Sequence, residues 1–106
     1  MTTATFNFLD DSFVSFEIKG HADYANVGLD IVCSAITTAT FYTIGLFQRL
    51  FKNDFELIQK DGYINLTIKN NQNQEQVKPI IENFIDVLDN IKKQYPKYLK
   101  INIAKK

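Results

Sequence analysis

His21 is the only histidine and Cys33 the only cysteine among the 106 residues, and twelve positions separate them. A thiol beside an imidazole is the minimum equipment for covalent acyl transfer, in which sulfur attacks a carbonyl and the imidazole takes up and returns a proton. Asp30 is a favoured N-cap type and precedes a long uncharged stretch, so the sequence predicts a helix to about Leu50 with Asp30 as its cap. Cys33 would then occupy the third helical position, where backbone N–H groups are unpaired and the dipole is positive, a setting that favours a thiolate. The same amides could hold the oxyanion of a tetrahedral intermediate. His21 directly follows a predicted strand ending at Gly20. Gly20 and Gly28 bound a loop, residues 20–29, long enough to bring imidazole and sulfur together.

Each of these residues also has a structural reading. Cysteine is among the most buried residue types, and a lone helical cysteine is commonly inert packing. A loop histidine often serves only as a hydrogen-bonding group, and Asp23 reads as a loop-surface residue. Asp30 caps a helix whatever else it does, and its carboxylate would oppose a thiolate at Cys33 unless turned toward the helix amides or His21. One histidine, one cysteine and nearby acids are a thin ligand set for zinc. No metal and no cofactor is expected.

The elements that must position this pair follow from periodicity. Residues 3–9 alternate, with Ala4, Phe6 and Phe8 on one face. Asp10-Asp11-Ser12 supplies turn chemistry, and residues 13–19 place Val14, Phe16 and Ile18 on one face and Ser15, Glu17 and Lys19 on the other. These predict an antiparallel hairpin with one wet side. In the first helix Ile31, Ala35, Ile36, Ala39, Tyr42, Phe47 and Leu50 cover more than one stripe, so the helix is expected to be buried on most sides, by the sheet and by a partner subunit. Phe55 to Lys60 and Tyr63 to Lys69 alternate around Asp61-Gly62, a hairpin signal. A second helix carries Val77, Ile80, Ile81, Phe84, Leu88 and Ile91 at helical spacing, with Pro79 near its start or kinking its first turns. Tyr95-Pro96 ends it, and Tyr98 to Ala104 reads as a last strand. The expected fold is α+β, a single domain over 1–106 in the order β-β-α-β-β-α-β, with two helices packed on a mostly antiparallel sheet.

Composition bounds the function. Twelve basic and twelve acidic residues cancel, so no global field draws the chain to nucleic acid or membrane. Lys92, Lys93, Lys97, Lys100, Lys105 and Lys106 crowd the C-terminal end without an acid, which reads as a solvated terminus in preference to an RNA-binding patch. A lone cysteine makes no internal disulfide, no signal peptide is evident, and Ile31 to Gln48 reads as too rich in hydroxyls for a membrane span. A cytoplasmic protein is expected, and pairing with a second copy would help so small a domain bury its surface.

Gly20-His21-Ala22, Tyr24-Ala25, Gly28, Asp30-Ile31-Val32-Cys33 and Ala35-Ile36 closely resemble the signature of the ribosomal-processing cysteine protease family. Gln94-Tyr95-Pro96-Lys97-Tyr98-Leu99 is similar to that family's segment before its last strand. The likeness spans nearly the whole chain. It implies His21 and Cys33 as the catalytic dyad, a homodimer, for which the uncharged first long helix is the expected interface, and a substrate loop including Ala22, Asp23 and Tyr24 that moves as substrate binds. It further implies removal of a short N-terminal extension from the precursor of large-subunit ribosomal protein twenty-seven, by cleavage after aromatic residues. Asp23 stands where glycine is usual. Ser34 replaces a common alanine beside the nucleophile, and Thr37 stands where serine is usual and keeps a hydroxyl one turn beyond Cys33. Two readings compete with the protease. One is a non-catalytic ribosome-associated binding module acting through the lysine-rich end, and the other a thiol switch with Cys33 in an intersubunit disulfide.

Overall fold

The computed structural model describes residues 1–20 and 27–106, residues 27–30 by backbone alone. The elements are β1 (Thr2–Leu9), β2 (Ser12–Lys19), α1 (Val27–Leu50), β3 (Phe55–Lys60), β4 (Tyr63–Ile68), α2 (Gln74–Gln94) and β5 (Leu99–Lys105). The expected order holds. The five strands form one sheet in the order β3-β4-β2-β1-β5. Neighbours run antiparallel except β1 and β5, which are parallel.

The first hairpin turns through Asp10 and Asp11 at φ 50° and 65°. Two left-handed residues in a two-residue loop match the twist of the flanking strands. A register shift follows: Asn7 pairs with Ser15, but Phe8 pairs with Phe13. Val14 is therefore the extra residue of a bulge, and the strand's inward phase changes there. This corrects the simple alternation. Phe13 is fully buried and Val14 only half-buried. Ser15 is buried as well, its hydroxyl accepting a hydrogen bond from Asn7 Nδ2 at 2.9 Å.

Aromatic rings join the layers. Phe6 and Phe16 lie 5.5 and 5.1 Å from Phe84 of α2, and Phe13 lies 6.4 Å from Phe47 of α1. Val77, Ile81, Phe84 and Leu88 form the buried stripe of α2, as their spacing predicts. Pro79 lies inside α2, which begins at Gln74. Its missing N–H leaves only the Glu75 carbonyl unserved by the helix, and Glu75 is exposed to water.

Among the described residues of α1, Val32, Ile36, Thr40, Thr43, Ile44 and Phe47 are buried on a single face within the domain, while Ile31, Tyr42 and Leu50 are exposed. One expectation for the helix is corrected: the segment Ile31–Leu50 is long and apolar enough to cross a membrane by length and composition, despite its hydroxyls. The helix absorbs two of them internally: Thr40 and Thr43 donate to the carbonyls of Ile36 and Ala39 at 2.7 and 2.9 Å.

Candidate active site

Helix α1 begins at Val27, so Asp30 is its fourth residue and Cys33 its seventh. The capping role predicted for Asp30 is therefore corrected, and so is Gly28 as a loop hinge, since Gly28 is helical. An acidic residue is favoured throughout a first helical turn, so Asp30 signals a helix start without fixing the first residue. Cys33 thereby lies past the unpaired amides of the helix end, and the expectation that its own turn supplies them does not hold. His21, Ala22, Asp23 and Tyr24 lie outside the described residues, as do the side chains of Gly28's neighbours through Asp30.

Cys33 is half-buried. It lines a pocket of about 540 Å³ between α1 and the ends of the central strands. Gly20, the residue immediately before His21, lines the same pocket. Its backbone is tightly held. The Gly20 N–H donates to the Gly62 carbonyl at 3.0 Å. With φ at 147°, a Cβ at Gly20 would stand 2.6 Å from the Met1 carbonyl oxygen and 2.8 Å from Thr2 Cα. Only glycine suits that conformation and that approach. Gly20 thus anchors the end of β2 against β1 and the β3–β4 turn at the pocket wall.

Ser34 and Thr37, singled out for their hydroxyls, are both exposed and share a surface depression with Cys33. Thr37 also lines the main pocket. Residues 59–64 of the β3–β4 hairpin, together with Thr2 and Phe41, complete that pocket, and sequence reasoning missed them. The hairpin itself is legible in Asp61-Gly62. That β4 pairs with β2, and so brings the turn beside the thiol, is a long-range contact with no local signal.

Tyr63, on this hairpin, titrates above the usual tyrosine range. The main cause is a side-chain hydrogen bond to Glu17, with desolvation and the Glu17 charge adding to it, while a hydrogen bond with Asn65 acts the other way. Among the described residues, no group of three or more His, Cys, Asp or Glu side chains could hold a metal ion. The described chemistry of the pocket is one thiol, hydroxyls, an amide, the opposite charges of Lys60 and Asp61, and an apolar wall.

A family model described as cysteine protease Prp matches residues 1–100. The chain belongs to the ribosomal-processing cysteine protease family. As a member it is a cysteine peptidase, which displaces the non-catalytic module as a reading. It is similar to the ribosomal processing cysteine protease Prp of Bacillus subtilis, at 27% identity over 97 residues, 87% of each chain. A crystal structure from Streptococcus mutans superimposes with a TM-score of 0.82 at 26% identity, covering 100% of this chain and 96% of that one. The Prp of Staphylococcus aureus, crystallised with a substrate peptide, gives a TM-score of 0.86 at 20% identity, covering 98% of this chain and 100% of that one. At that identity the likeness speaks for the fold. The same Staphylococcus aureus protease has also been crystallised with a covalently linked product peptide.

Proposed function

We propose that this protease removes the short N-terminal extension from the precursor of large-subunit ribosomal protein twenty-seven, cutting after aromatic residues, with Cys33 as nucleophile and His21 as base and then acid. The observation that carries the reading is that Cys33 and the residue preceding His21 line one pocket. In the reaction, the Cys33 thiol passes its proton to the imidazole and sulfur bonds to the scissile carbonyl carbon. The C–N bond then breaks as the imidazolium protonates the departing amine, leaving a thioester. Water, losing a proton to the imidazole, attacks the thioester, and the acid product leaves as the thiol is restored. Such chemistry needs a reduced thiol, which suits a cytoplasmic setting.

Incubation with a peptide spanning the extension junction tests this. Cys33→Ala and His21→Ala should each lose at least about a thousandfold in kcat/KM. Cleavage by both variants at the wild-type rate would refute the dyad.

The assembly proposed is a homodimer through α1. Its support is the exposed Ile31, Tyr42 and Leu50, together with an apolar groove between α1 and α2 to which Ala35, Ala39, Val87 and Ile91 contribute.

A further inference from the structure

Cys33, Thr37 and Phe41 follow one another at intervals of four along α1, so they lie on one helical stripe. All three line the same pocket. Phe41 nevertheless keeps 41% of its surface exposed, whereas the aromatic rings of the core, Phe6, Phe13, Phe16 and Phe47, keep none. Its ring forms a pocket wall that packing inside the domain leaves unused. Ile18, Ile36 and Ile64 add apolar surface to the same cavity. The charged residues among its lining, Lys60 and Asp61, are adjacent, opposite in sign and at the hairpin turn, so they leave no net field. Eight helical residues advance about 12 Å from the thiol. An extended peptide covers that distance in three to four residues.

We propose that Phe41 is a specificity-determining residue that receives a bulky apolar side chain of the substrate three or four residues from the cleaved bond. This deepens the protease reading, resting on Cys33 as the point from which the distance is counted. It concerns a position well removed from the scissile bond, and the selectivity comes from burial of apolar surface on both partners.

Binding without turnover tests it. The Cys33→Ala protein is titrated with fluorescent peptides that carry leucine or alanine at the third and fourth residues on either side of the junction. The leucine peptide of one side should bind about tenfold more tightly, the low end of what burying one such side chain contributes. Adding Phe41→Ala should close that gap to within about twofold. Adding Phe41→Leu in its place should largely reopen it, which a general loss of folding would not do. A gap of unchanged size with Phe41→Ala, or no gap with Phe41 present, would overturn the proposal. Failure of the nucleophile reading shows separately, as peptide cleavage retained by Cys33→Ala.

Discussion

Glu17 and Tyr63 show how one residue sets the titration of another across two strands. Both side chains lie on neighbouring strands, β2 and β4, and their hydrogen bond favours the protonated phenol. A raised folded-state value means the folded protein holds this proton more tightly than the unfolded chain. The stabilisation is therefore complete below about pH 10, the ordinary tyrosine value, and is lost as pH rises through the higher folded value. Ultraviolet titration of phenolate should show Tyr63 ionising above the ordinary tyrosine value, and Glu17→Gln should bring it back toward that value. An unchanged titration curve in that variant would remove Glu17 as the cause. Gly20 makes the complementary point about backbone. Its left-handed φ and its approach to Met1 leave no room for a Cβ, so the chain entering His21 starts from a fixed place.

Helix α1 carries two faces with separate tasks. Val32, Ile36, Ile44 and Phe47 hold it to the sheet, and Tyr42, exposed at 71%, marks the opposite side. If that outer side joins two copies, sedimentation should give a dimer at micromolar concentration, and Tyr42→Asp should shift it toward monomer by placing a charge in an apolar contact. A wild-type monomer under those conditions would contradict the pairing. Much of this element level was readable beforehand, because alternation and helical spacing are local properties: the seven elements, their order and the stripe of α2 all follow from them. Three features escaped. The bulge at Val14 changes strand phase without changing composition. The start of α1 at Val27 is masked by an aspartate that suits several first-turn positions. The burial of Thr40 and Thr43 depends on hydroxyls bonded back to their own helix, which makes a polar-looking stretch serve as core.

At the scale of the molecule, the sheet order brings β2, β4 and the hairpin turn to one end, and α1 lays Cys33 against it. His21 and Cys33 were conspicuous as the only residues of their kinds, whereas Phe41 and residues 59–64 acquire meaning only once the strands are paired. The family fixes the reaction class as cysteine peptidase chemistry, and the dyad assignment makes a covalent intermediate obligatory. The most direct measurement is intact-protein mass spectrometry after acid quenching during turnover of the junction peptide, followed by mapping of the modified residue. The account predicts a protein heavier by the mass of the acid product less one water, as a thioester requires, with the addition on Cys33 and absent from Cys33→Ala. Steady cleavage with the acyl group mapped to another residue, or cleavage undiminished in Cys33→Ala, would contradict it.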